Sequence, residues 1–275
     1  MKIILLLAIV LGVFGLISYS VTVPKIEVEA VTVAEETRPL NIEAEERQVR
    51  SKNKPLVLVE LFTSEGCSSC PPADKNLIYF NDKQPFEEAE VIALSLHVDY
   101  WNRLGWQDPF SSAQFSERQS YYSDTFNLNG VYTPQMVVDG QLQFVGSNFQ
   151  EAQKAIKTAV KMQKANLTLS LKENKISVEI SDIPKSLESN VYLAIAEDNL
   201  SINVRNGENG GRTLQHSAVV RELKTIGTLK PTDDNFKTET AFHFNPEWKK
   251  KEVKLVVFIQ NKQTGQIIGV NQIRL

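Results

Sequence analysis

Leu56-Val-Leu-Val-Glu-Leu-Phe-Thr-Ser-Glu-Gly-Cys67-Ser-Ser-Cys70-Pro-Pro-Ala-Asp74 contains both cysteines of the chain and a change of structural period. Leu56 to Phe62 is a short apolar run rich in β-branched residues, which reads as a buried strand. Pro71 and Pro72 suit the first turn of a helix, where backbone N–H groups have no internal partner. Ala73, Leu77 and Phe80 follow at helical spacing. Cys67 is therefore expected at a helix N-terminus, where unpaired N–H groups and the helix dipole favour a thiolate. Three chemistries fit such a pair: disulfide exchange, metal binding and a local staple. A staple closing so short a loop gains little, because its effect grows with loop length. A closed zinc site wants about four ligands, and there is no second cysteine pair. Spacing and context favour a redox pair.

Outward from this stretch the pattern alternates. Val91 to Val98 is a second buried strand, which makes a βαβ unit with parallel strands. A loop from Asp99 to Pro109 follows. Phe115, Tyr122 and Phe126 then recur at helical spacing. After Thr133-Pro134, two strands flank an Asp139-Gly140 turn as a hairpin. Phe149, Ala152, Ala155, Ile156, Ala159 and Val160 form a helix stripe behind an Asn148-x-x-Glu151 capping box. The order is β–(CxxC)–α–β–α–(Thr-Pro)–β–β–α.

That order resembles a thioredoxin-like fold. Glu60 to Asp74, His97-Val-Asp-Tyr-Trp101 and Tyr132-Thr-Pro-Gln135 together resemble the bacterial secreted thioredoxin-like family catalogued as domain of unknown function 1223. The resemblance covers residues 55 to 165 and extends to Arg205–His216. It implies Cys67 as the attacking cysteine, Cys70 as the resolving one, and a cis bond before Pro134. It also implies that Thr133 pairs its backbone with substrate as an added strand would.

After residue 166 the period becomes two. Leu167, Leu169 and Leu171 alternate with polar residues, as do Ile176, Val178 and Ile180 beyond a Glu173-Asn174 turn. Val191, Leu193 and Ile195 continue this, then Val253, Leu255, Val257 and Ile259. Such spacing predicts an antiparallel β-sandwich of seven or eight strands. The expected fold class is α/β, with a thioredoxin-like domain at 55–165 and a β-sandwich-like domain at 166–275.

Parallel strands end at the same sheet edge, where open α/β sheets bind ligands. His97, Asp99 and Trp101 follow one strand end and the cysteines follow the other. His97 and Asp99 are candidates for tuning the thiolate or relaying a proton; a satisfied core histidine is the competing reading of His97. Trp101 and Trp106 either line a groove for an extended peptide or lipid-like ligand, or pack in the core. Glu60 and Glu65 flank the motif. Glu60, if buried, would carry a raised pKa and relay a proton to Cys70; a surface-facing residue is the alternative. His216 follows a Gly-rich stretch, Asn206 to Gly211, that lacks a phosphate-cradling pattern. It reads as a long hairpin turn facing the first domain.

The 275 residues carry a net charge of −3 and 42% hydrophobic residues. No basic stripe points to a nucleic-acid partner. Met1-Lys2 precedes an apolar run, Ile3 to Ile17, read as a signal peptide or membrane anchor over 1–23. Residues 24–54 read as an acidic flexible linker. Export puts the cysteines where a pair stays oxidised. The expected activity is thiol–disulfide exchange with a protein or small-thiol disulfide, with no cofactor beyond the redox-active disulfide. The electron donor or acceptor stays open. Two alternatives remain: a Cu(I) carrier using Cys67, Cys70 and His97, and a non-enzymatic envelope binding protein.

Overall fold

A computed structural model of the chain describes residues 47–50, 54–185 and 188–275. Residues 1–23, expected as a signal peptide or anchor, and the expected linker up to residue 46 lie outside the described residues. The first elements are β1 (Arg47–Arg50), β2 (Leu56–Thr63), α1 (Pro71–Lys83), β3 (Glu90–His97), α2 (Ala113–Thr125), β4 (Gln135–Val138), β5 (Leu142–Val145) and α3 (Phe149–Ala159). Nine strands follow: β6 (Asn166–Lys172), β7 (Lys175–Ser181), β8 (Ser189–Glu197), β9 (Leu200–Asn203), β10 (Thr213–His216), β11 (Val219–Leu229), β12 (Phe236–Ala241), β13 (Val253–Asn261) and β14 (Ile267–Arg274).

The elements expected in the first half form as read. β2 and β3 are parallel, and β4 runs antiparallel to β2 and to β5. Asp139 and Gly140, at the hairpin turn, both take positive φ. Asn148 caps α3 by accepting from the Glu151 N–H.

The second half departs from the expectation of a separate sandwich. An eight-stranded sheet runs in the order β14-β13-β8-β11-β3-β2-β4-β5, so it crosses residue 165 without a break. The seam is β11 beside β3, where Ser95 donates to the Ala218 carbonyl at 2.7 Å. The physical reason lies in β8 and β13, which are buried on both faces. Val191, Leu193 and Ile195, with Val253, Leu255, Val257 and Ile259, pack against a second sheet of order β1-β6-β7-β12. Their opposite neighbours, Ala194, Ala196, Val256 and Phe258, pack with Phe115 and Tyr122 of α2. Strands covered on both faces are interior strands of a layered sheet. The sandwich pairing exists, but one of its layers is an extension of the first sheet. Residues 47–50, read as linker, pair with β6 in the other layer.

Parity along β2 decides which side chains meet which helix. Val57, Val59 and Leu61 pack with α1 and α3. Leu58 and Phe62 face α2, and Glu60 shares their parity. Its carboxylate takes a two-pronged pair from Arg118, at 2.6 and 3.0 Å, and a bond from the Tyr122 hydroxyl. Arg118 also donates to Gln260 of β13. This buried network joins β2, α2 and β13.

Breaking a buried ion pair from one side leaves an uncompensated charge. Arg118→Met is therefore expected to destabilise the protein by about 3–5 kcal/mol in urea unfolding, and Glu60→Gln in the same background to recover part of the loss.

Candidate functional site

Cys67 and Cys70 are joined as a disulfide. The turn is closed by Cys67 N–H to Ser64 O and Cys70 N–H to Cys67 O. Cys70 is the N-cap of α1, and Pro71-Pro72 fill the first helical positions. The helix thus begins at the second cysteine, three residues beyond the one expected there. Both cysteines have no exposed surface, while Ser68 and Ser69 between them are exposed.

The Thr133–Pro134 bond is cis, as expected. Trp101 connects this loop with the cysteine turn. Its indole N–H donates to Thr133 Oγ1 at 2.8 Å, and its Cβ lies so near Gly66 that a Cβ there would stand 3.2 Å away. Trp101, Thr133 and the turn therefore assemble at one sheet edge.

Glu65 anchors the same turn from below. Its N–H donates to Asp108 Oδ2, and its Oε2 accepts from the Trp106 indole. Its Oε1 lies 3.3 Å from His216 Nε2. His97 Nδ1 is 2.7 Å from Asp108 Oδ2, and the two histidine rings meet edge to face with centroids 4.8 Å apart. Asp74, on α1, accepts from Thr63. Glu65, Asp74, His97, Asp108 and His216 are all buried, and Trp106 is half-buried. Burial pushes the Asp74 carboxyl up, and His216 and His97 offset this only in part. For His97 burial acts downward, but Asp108, then Asp74 and Glu65, outweigh it and raise the pKa. For Asp108 burial acts upward, and His97 reverses it to a net lowering.

The second half of the chain contributes directly. Asn209, fully buried, donates from Nδ2 to the carbonyls of Glu65 (2.8 Å) and Cys67 (2.9 Å). The Ser68 N–H donates to the Glu208 carboxylate at 3.0 Å. Gly207 takes φ +74° and sits against Trp106, where a Cβ would stand 3.2 Å from the indole Cβ. The Gly-rich stretch thus faces the first half, as expected.

Other expected residues stand elsewhere. Glu60 lies on the α2 side of the sheet and is committed to Arg118 and Tyr122, so a relay from it to Cys70 does not fit. Asp99 accepts from Ser116 Oγ at 2.5 Å and so ties the loop to α2 rather than to the cysteines. His97 is buried and paired rather than open to the turn. Among the described residues no three His, Cys, Asp or Glu side chains gather to hold a metal ion. Asp74 and Asn209 stand within the stretches that carry the family resemblance, but nothing in the sequence assigned a role to them or to Asp108. Each is an ordinary polar residue until the fold brings it in.

The His97–Asp108 pair gives a pH signature. A raised His97 pKa contributes stability below its unfolded value of 6.5, lost as pH rises through the folded pKa. A lowered Asp108 pKa contributes stability above 3.8, lost as pH falls through its folded value. Urea midpoints taken from about pH 5 to about pH 9 should fall on the alkaline side in the wild type and run flatter in His97→Gln.

Similar proteins agree with this fold. A crystal structure of a protein from Agrobacterium tumefaciens is 25% identical, covers 82% of this chain and 96% of its own, and has a TM-score of 0.65. HBP35 of Porphyromonas gingivalis is 15% identical, covers 82% of this chain and 76% of its own, with a TM-score of 0.54. No curated protein matches the sequence. Residues 58–260, which take in the cysteine turn, the cis-proline loop and the Asn209 loop, match one family along their whole length, and the chain belongs to that family, described as Protein of unknown function (DUF1223).

Proposed function

We propose that the protein is an exported thiol–disulfide oxidoreductase built on a thioredoxin-like unit. The observation that carries this reading is the disulfide at the N-terminus of α1, directly after the interior strand β2, with Trp101 linking its turn to the Thr133–Pro134 loop. The arrangement of β2–α1–β3–α2–β4–β5–α3 supports it. Its sheet order is β3-β2-β4-β5, with α1 and α3 on one face and α2 on the other.

In the reducing direction, the Cys67 thiolate attacks one sulfur of a substrate disulfide. The substrate S–S bond breaks, a mixed disulfide forms, and the departing thiolate takes a proton from solvent. Cys70 loses its proton and attacks the Cys67 sulfur. The second substrate thiol leaves and Cys67–Cys70 re-forms. The protein gives up two electrons and the substrate gains them. With a dithiol substrate the same steps run backwards.

A polypeptide substrate suits the surroundings. Trp101 is half-buried, and Leu104 and Val131, close to Trp101 and Thr133 in sequence, are exposed apolar side chains. Exposed apolar groups of this kind would suit an extended chain paired with the Thr133 backbone.

The test is the reduction potential of the pair, read by alkylation and mass in glutathione buffers with metal chelated. A value between roughly −120 and −270 mV is expected; one below roughly −300 mV marks a resistant structural bridge and overturns the reading. In a second assay, Cys70→Ser should accumulate a mixed disulfide with oxidised glutathione while Cys67→Ser does not.

A further inference from the structure

A disulfide is opened by a thiolate that reaches one of its sulfurs, so access limits the rate. Here neither cysteine has any exposed surface. The turn that carries them is nevertheless at the edge of the protein, since Ser68 and Ser69 are exposed. Something must withdraw before exchange occurs.

The stretch from Val204 to Arg212, between β9 and β10, has the chemistry of a removable cover. Arg205 to Glu208 are exposed, as are Gly210 to Arg212. Asn209 alone between them is buried, and its amide spans the two carbonyls on either side of Gly66. The Glu208 carboxylate takes the Ser68 N–H, a bond open to solvent. The stretch closes on itself through Val204 N–H to Arg212 O and Gly211 N–H to Val204 O. Its internal bonds survive if it swings away as a unit. What is lost is three hydrogen bonds to the cysteine turn, the burial of one amide and the packing of Gly207 against Trp106. Gly207 and Gly211, both at positive φ, flank the plug.

We infer that this loop gates Cys67, with Asn209 as the residue that positions the reactive turn and plugs access to it. The inference deepens the oxidoreductase reading and rests on it for its biological use. On binding, a substrate replaces the loop: it takes up the carbonyls of Glu65 and Cys67 and the N–H of Ser68. The second half of the chain then acts as a substrate-displaced cover rather than as a scaffold.

The experiment measures, on the full chain, the rate of Cys67–Cys70 reduction by dithiothreitol and by the bulkier glutathione, together with the reduction potential. Losing the two Asn209 bonds should speed reduction about tenfold or more in Asn209→Ala, and losing the solvent-open bond about two- to fivefold in Glu208→Ala. The gain should be larger for glutathione, and the potential should stay where it was, because a gate alters rate and not equilibrium. Glu208 is exposed, so Glu208→Ala keeps a folded protein available should Asn209→Ala unfold. Unchanged rates in folded variants overturn the gate and leave the oxidoreductase reading standing. A shift in potential that accounts for the whole rate change also overturns it. Faster reduction in the variants, with a wild-type potential in the range of structural bridges, supports the cover and overturns the oxidoreductase reading instead.

Discussion

One buried residue, Glu65, ties the cysteine turn to three other parts of the molecule, and each of its polar groups faces a separate neighbour. Its N–H is tied to Asp108, its carbonyl to Asn209, one carboxylate oxygen to Trp106, and the other faces His216. A carboxylate without solvent costs several kcal/mol unless its environment compensates it. The compensation here comes from the loop after β3, through Trp106, and from β10 of the second half, through His216. No local segment provides it. The turn takes its place only when both halves of the chain are folded around it, two residues from Cys67.

The sheet makes that arrangement possible. Because β11 lies beside β3, β10 and the loop before it reach the end of the sheet at which β2 and β3 finish. A free-standing sandwich joined by a linker would not hold Asn209 within hydrogen-bonding distance of Cys67. The sheet also curls, so that Ile267 in edge strand β14 donates to Asp139 in the β4–β5 hairpin. Strands of both halves thereby pack around α2, and the Arg118–Glu60 pair ends up enclosed.

Local chemistry was legible in the sequence and convergence was not. The cysteine turn, the helix after it and the Asp139-Gly140 hairpin each rest on residues a few positions apart. The cis bond at Pro134 was legible through the motif resemblance. By contrast Asn209 meets Glu65 across 144 residues and His216 meets Glu65 across still more. No pattern of spacing encodes such a meeting. The face of Glu60 was half-legible: its parity with Leu58 and Phe62 was plain, but which face held α1 was not. The sandwich reading went astray for a related reason. Alternation at Val253, Leu255, Val257 and Ile259 was genuine, yet Val256 and Phe258 in the gaps are apolar too. Interior strands carry that second apolar set, and half-exposed strands do not.

These features have a common physical consequence. A cysteine pair on an exposed turn answers chiefly to its own local electrostatics. In this chain the turn is bonded to a loop more than a hundred residues away, over a buried cluster of two histidines and three carboxylates. Any change that loosens the second half, whether a weakened β11–β3 seam or a lost His216–Glu65 contact, also frees the backbone on both sides of Gly66. Fold stability and sulfur access are therefore coupled through Glu65 and Asn209. The same hydrogen bonds that order the turn must be exchanged for others when a sulfur is reached. That coupling gives the β-rich second half a role at the cysteines without contributing a cysteine of its own.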